Sequence, residues 1–227
     1  MRKIVIGLLL FIVSCGSGGG GGGGSGDSNS TPTPTGTTFD LSKTSSPKTG
    51  TNSSVNLTGS TSSGATLSGV FQFIYDGQVV FENQNLYKTR SYIYLKNLST
   101  NYTVSTILTM YYYANGQFYK GTDSSGITYT PNPTYNSVPD TAKVGDFGEL
   151  GNMKDSDGYS YYGTWRLEAG YNGQSIIHTT SNIKSGTTVF CTVDTEFTIS
   201  ATGDLLSLKL SYYYPSTNVT ITLTGNP

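Results

Sequence analysis

Apolar and polar residues alternate with a period of two along the C-terminal part of the chain. Leu206, Leu208, Leu210, Tyr212 and Tyr214 alternate with Ser207, Lys209, Ser211 and Tyr213, and Val219, Ile221 and Leu223 alternate with Thr220, Thr222 and Thr224. Successive side chains of a strand point to opposite faces, so this pattern predicts half-buried β-strands. The same reading predicts strands over 67–75, 79–87, 91–98, 102–113, 117–121, 159–169, 174–180 and 187–200. Asp76-Gly77-Gln78, Asn115-Gly116-Gln117 and Asn172-Gly173-Gln174 fall between neighbouring strands. Asp-Gly and Asn-Gly supply the positive φ that a tight hairpin needs, so each is expected to reverse the chain. No segment of ten or more residues carries the helical period, which removes α/β folds and their crossover helices. Residues 131–158 hold Pro131, Pro133, Pro139, Gly145, Gly148 and Gly151 and are expected to form a loop or a sheet-to-sheet connection. The expected domain is all-β and occupies 65–227, as an antiparallel sandwich or half-closed barrel of about ten strands.

Upstream of this domain the composition changes. Of the 49 residues from Gly16 to Gly64, 38 are Gly, Ser, Thr or Pro, and Phe39, Leu41, Val55 and Leu57 are the only sizeable apolar groups. Residues 15–64 therefore read as a flexible tether that builds no core. As a coil, residues 16–54 would span about 30–40 Å. Before the tether, Met1-Arg2-Lys3 is cationic and Ile4–Val13 is a ten-residue apolar run, the pattern of a secretion signal over residues 1–14. Ten residues of helix reach about 15 Å, half a bilayer core, so no transmembrane helix is expected.

Ile12-Val13-Ser14-Cys15 resembles the lipobox of bacterial lipoprotein precursors. The resemblance covers only the signal and implies cleavage after Ser14, a diacylglyceryl thioether on Cys15 and acylation of the new amino terminus. Two or more acyl chains make a stable anchor where one is marginal, so membrane attachment through Cys15 is expected. Gly16 directly after the Cys, where Asp would be the alternative, fits the family's outer-membrane delivery. The run Gly18–Gly24 resembles that of surface-exposed lipoproteins of Gram-negative bacteria, although a spacer inside the periplasm fits the same residues. Val138-Pro139-Asp140-Thr141-Ala142-Lys143-Val144-Gly145-Asp146 and Thr164-Trp165-Arg166-Leu167-Glu168 are similar to segments of uncharacterised bacterial lipoproteins, and that similarity implies no activity.

With Cys15 lipidated, Cys191 has no partner, and its parity with Val189, Val193, Phe197 and Ile199 makes it a small buried hydrophobe. The net charge is −1 and 12% of the residues are charged, so there is no cationic footprint for nucleic acid. Catalytic signals are sparse. His178 is the only His and lies on an expected strand, with no nucleophile or metal-ligand spacing around it. Glu82, Glu149, Glu168 and Glu196 are the only glutamates. Glu168 and Glu196 could face one another as a glycosidase pair would, but they fit solvated outer faces of strands. Asp155-Ser156-Asp157-Gly158 begins like a calcium loop and continues with Tyr159, Tyr161 and Tyr162, so it reads as an Asp-Gly turn. No catalytic residue, metal site or cofactor is expected.

The 18 tyrosines carry what functional signal there is. Tyr111, Tyr112 and Tyr113 are consecutive and must point to both faces of a strand. Tyr112 shares its parity with Leu108 and Met110 and is assigned to the core. Tyr111 and Tyr113 then lie on the opposite face, available to a ligand, because Tyr joins contact area to a polar tip at low entropic cost. The expected protein is a lipid-anchored cell-envelope protein at the outer membrane, with a non-catalytic β-domain binding a macromolecule or glycan. The alternative is a periplasm-facing carrier or assembly factor with an apolar cavity in a half-open barrel. A membrane-embedded barrel is disfavoured by the ending Gly225-Asn226-Pro227, which lacks a terminal aromatic residue.

Overall fold

The computed structural model describes residues 31–227; the predicted signal peptide, Cys15 and residues 16–30 of the predicted tether lie outside them. The elements are β1 (Thr38–Asp40), α1 (Ser42–Ser45), β2 (Ser53–Thr61), β3 (Thr66–Phe81), β4 (Gln84–Asn97), β5 (Thr103–Tyr112), β6 (Phe118–Asp123), β7 (Thr128–Tyr135), β8 (Thr141–Lys143), β9 (Phe147–Asp155), β10 (Tyr159–Ala169), β11 (Ser175–Ser185), β12 (Thr188–Ile199), β13 (Leu205–Tyr214) and β14 (Val219–Asn226). Twelve of the strands form one closed antiparallel barrel. It follows the chain as a meander from β2 to β14, leaving out only β8, and closes where β14 pairs with β2.

The domain is all-β, as expected; its barrel is closed, and it recruits a strand from the predicted tether. β2 pairs on one side with β14, from Thr61 opposite Ile221 to Asn56 opposite Asn226, and on the other with β3. Its Val55 and Leu57 are buried in the core. Among the described residues, folded structure therefore reaches back to Thr31, not only to Ala65. The physical reason is that a barrel strand needs apolar side chains only at its inward positions, so Ser, Thr and Asn can fill the rest.

Residues 31–52 cross one end of the barrel. β1 pairs with β8, and Phe39, Leu41, Ala142 and Val144 join the core. Leu41 N–H donates to the Asp140 carbonyl at 2.7 Å, and the Thr44 hydroxyl to the Gly203 carbonyl at 2.8 Å. The chain enters this plugged end beside the β10–β11 turn, where Thr33 N–H donates to the Gly170 carbonyl and Asn172 N–H to the Thr31 carbonyl.

Two further expectations are corrected. Asp76-Gly77 does not reverse the chain: it is a bulge inside β3, where pairing with β4 shifts between Tyr75 and Gly77, and Gly77 takes φ 76°. An Asp-Gly step serves a bulge as readily as a turn. The reversal comes at Glu82-Asn83, with φ of 48° and 60°, so the predicted strand 79–87 is two strands. Residues 131–158 are not one loop, for they contain the end of β7, then β8 and β9. The prolines fit because the β7–β9 register is broken between Pro131 and Tyr135, where a missing donor costs no ladder bond.

The inward face is apolar and rich in rings: Phe71, Phe73, Tyr112, Phe118, Tyr129, Tyr135, Tyr161, Phe197 and Tyr212 are all at most 2% exposed. Outward positions in mid-strand include charged residues, as at Arg90, Asp194, Glu196 and Lys209, beside apolar and aromatic ones such as Val70, Ile74, Tyr92 and Ile107. A chain beginning at Thr31 is expected to keep its melting temperature within a few degrees of the full-length chain. A chain beginning at Ala65 loses β2 and four core side chains, each a loss of about 2–5 kcal/mol, and is expected to show no cooperative thermal transition in far-UV circular dichroism.

Candidate functional site

Two outward surfaces bring together the side chains that the sequence singled out. The first surrounds Tyr111 and Tyr113. On β5, Leu108, Met110 and Tyr112 are buried and point inwards, with the Tyr112 hydroxyl donating to Met110 Sδ at 3.3 Å and its ring 5.6 Å from Phe118. Tyr111 lies on the other face. The tip of the β3–β4 hairpin reaches across β5 and lays Phe81 flat on Tyr111, with centroids 4.0 Å apart and planes at 9°. Tyr119 of β6 meets Phe81 edge-on at 6.4 Å and Tyr113 edge-on at 5.5 Å. Glu82 accepts from the Tyr119 hydroxyl at 2.7 Å and from Lys120 Nζ at 2.6 Å. Phe81, Glu82, Tyr119 and Lys120 escaped the sequence reading because the Glu82-Asn83 turn carries no glycine to mark it.

The second surface lies on the outer face of β9, β10 and β11. The register sets Phe147 opposite Arg166, Arg166 opposite His178, His178 opposite Glu196 and Glu196 opposite Lys209, one transverse row over five strands. A groove of about 450 Å³ runs beside this row, lined by Phe147, Glu149, Tyr162, Thr164, Arg166 and His178, among others. Phe147 is 81% exposed. The Tyr162 hydroxyl donates to Glu149 at 2.8 Å. Arg166 Nε bonds Glu168, the next outward residue of β10.

His178 sits between two carboxylates. Its Nε2 is 3.4 Å from Asp194 Oδ1 and its Nδ1 is 3.0 Å from Glu168 Oε1, while Arg166 Nη2 lies 2.7 Å from the same Nδ1. The neutral ring can accept from Arg166 at Nδ1 and donate from Nε2 to Asp194. The protonated ring donates to both carboxylates and loses the Arg166 bond. Asp194 raises the His178 pKa above 6.5, opposed by partial burial, and Glu168 adds to the rise. Glu168 is pushed up by its own burial but ends below its ordinary value because Arg166 and His178 bond it, and Asp194 is lowered by His178 and Thr180. Both ring nitrogens are thus engaged by charged neighbours, and the Thr180 hydroxyl donates to Asp194 rather than to the ring. The arrangement holds a polar surface rigid.

The remaining candidates have structural places. Cys191 is fully buried and desolvation pushes its thiol up to about 12. Asp155 accepts from Tyr159 N–H and the buried Tyr161 hydroxyl across the β9–β10 turn. Glu168 and Glu196 lie on strands separated by β11, and Glu196 pairs with Lys209 at 2.7 Å. No protein family, curated protein or solved structure matches the chain.

Tyr112→Ser removes a buried ring, a loss of about 3–5 kcal/mol, and should lower Tm by about 6–15 °C. Tyr111→Ser with Tyr113→Ser removes partly exposed rings, each worth about 1 kcal/mol of aromatic contact, and should lower it by a few degrees. Calorimetry of the two variants checks the assignment of faces. For His178, a folded-state pKa above the unfolded value means that its contribution is complete below about pH 6.5 and is lost as pH rises through the folded pKa. The Tm difference between the wild type and His178→Gln should therefore be larger at pH 5.5 than at pH 8.5, and a thermal scan at both values checks the sign.

Proposed function

We propose that this is a lipid-anchored protein of the bacterial cell envelope, held at the outer membrane through Cys15, whose barrel is a non-catalytic binding module for a glycan or protein ligand. The outward aromatic patch of Phe81, Tyr111, Tyr113 and Tyr119, edged by Glu82 and Lys120, carries the reading. Rings with a low entropic cost of ordering, beside one fixed charge of each sign, suit recognition at a surface. The inward face is filled by side chains, which weighs for a ligand on the outside of the barrel over an apolar cargo within it. Charged residues at mid-strand outward positions weigh for a barrel in water beside the membrane, since a lipid-facing wall tolerates them poorly. Fifteen residues, 16–30, lie between Cys15 and Thr31, and in any conformation they reach no more than about 55 Å.

Cys15→Ser should abolish incorporation of an alkyne fatty acid and leave unprocessed precursor or soluble protein in cell fractions. Equal labelling of wild type and variant would remove the anchor from the proposal.

A further inference from the structure

We propose that the groove on the outer face of β9, β10 and β11 is a saccharide subsite. It takes the apolar face of an uncharged sugar ring against Phe147 and the sugar hydroxyls against Glu149 and Arg166. This inference rests on the binding-module reading and names a ligand class and a place for it.

An isolated exposed apolar residue is ordinary on a protein surface. Phe147 is set apart by its company. Its ring meets no other aromatic ring among the described residues, it is 81% exposed, and it stands directly across the sheet from Arg166. The groove beside it has the size of a small-molecule site. Its polar wall includes the planar carboxylate of Glu149 and the guanidinium of Arg166, with the Thr164 and Thr180 hydroxyls and His178 beside them. Planar groups with paired donors or acceptors match neighbouring hydroxyls two at a time. A pyranose presents hydroxyls around its rim and C–H bonds on its face, which is the combination this wall and ring complement.

Charge narrows the class. Glu149 lines the groove with Arg166 and His178, and Glu168 and Asp194 outside it bond those two basic side chains, so little cationic charge is left with which to hold a phosphate, a uronate or a sialic acid. The acidic and basic groups are bonded to one another, which holds them in place before a ligand arrives and reduces the entropy lost on binding.

The other surfaces offer less. The groove of Asn56, Thr198, Ser207, Lys209, Thr224 and Asn226 has no ring, and neither does the one around Lys48, Asn115, Ser137 and Asp140 at the plugged end. In the Tyr111 patch, Phe81 and Tyr111 cover each other's faces, so that surface suits a protein ligand better than a sugar.

The test uses the unlipidated full chain (Cys15→Ser) on an array of neutral oligosaccharides of glucose, galactose, mannose and N-acetylhexosamines, with sialylated and uronate-bearing glycans as the anionic arm. The best binder is then titrated calorimetrically. The expected result is binding in the neutral arm that Phe147→Ser weakens by about tenfold or more and Glu149→Gln also weakens. Phe147→Tyr should retain it, as should Leu98→Ser at an exposed position outside both surfaces; Tyr111→Ser with Tyr113→Ser is measured alongside. Phe147 is exposed, so its variants should melt with the wild type, and an equal Tm confirms that a lost signal is not lost fold. Binding confined to anionic glycans, unaffected by Phe147→Ser, or absent throughout the neutral arm overturns the subsite. Glycan binding that is lost only with Tyr111 and Tyr113 overturns the subsite and leaves the binding-module reading standing.

Discussion

The barrel depends on one strand. Without β2, the sheet that runs from β3 to β14 has two free edges, each a row of unpaired donors and acceptors. β2 satisfies both at once, through β14 on one side and β3 on the other. The seam is tight. A Cβ on Gly59 would lie 1.9 Å from the Thr222 carbonyl oxygen, and one on Gly225 would lie 2.2 Å from that of Asn56. Only residues without a side chain fit where β2 and β14 approach so closely, and these two glycines stand on the two sides of the closing pair. Closure has a second support in residues 31–52, which cross the barrel end and bury Phe39 and Leu41 against the core.

A related economy holds the far end. Asp123 and Asp155 are both buried and both begin turns, Asp123-Ser-Ser-Gly-Ile-Thr-Tyr129 and Asp155-Ser-Asp-Gly-Tyr-Ser-Tyr161. In each, the glycine takes φ 88° and the Asp accepts a backbone N–H four residues on and the hydroxyl of the Tyr six residues on. Tyr129 and Tyr161 then meet edge-on at 6.0 Å in the core. A buried carboxylate is costly unless hydrogen-bonded, and these two are satisfied by the turns that they start. The raised pKa of both tyrosines, chiefly a burial effect, keeps their hydroxyls as donors to the carboxylates.

What could be read from the sequence follows from how local each signal is. Strands with large inward side chains, such as β10, β12, β13 and β14, showed their period, and the Asn-Gly turns at 115–116 and 172–173 do reverse the chain. β11 was read only as far as Thr180, because its inward positions include Ser175, Thr179 and Ser181, which break the apolar alternation. β2 was hidden by its Ser, Thr and Gly content. The separation of Tyr112 from Tyr111 needed only the parity of one strand. The Phe147 groove needed the register of three strands, and β9 lay in a stretch whose prolines and glycines read as loop, so Phe147 never came beside Arg166 and His178 on sequence grounds. Asp155 alone reads as a calcium or turn residue; set beside Asp123 and its matching Tyr, the sequence itself points to the turn role.

The two candidate ligand surfaces share a location that bears on how they could work. β5 ends at Tyr112, β6 begins at Phe118, β9 begins at Phe147, and the β3–β4 hairpin extends past Ser53, the first residue of β2, so all four lie towards the plugged end. The chain enters at that same end, with Thr31 tied to Asn172 and Pro32 bridged to Tyr171. Under the lipid-anchor reading, Cys15 is then connected to the half of the barrel that carries both surfaces. Because the intervening residues reach at most about 55 Å, a ligand held there would stay within reach of the membrane surface. Such a position favours partners that are themselves part of the envelope surface, whose local concentration is set by the same membrane, and weak contacts at each surface add through that shared confinement.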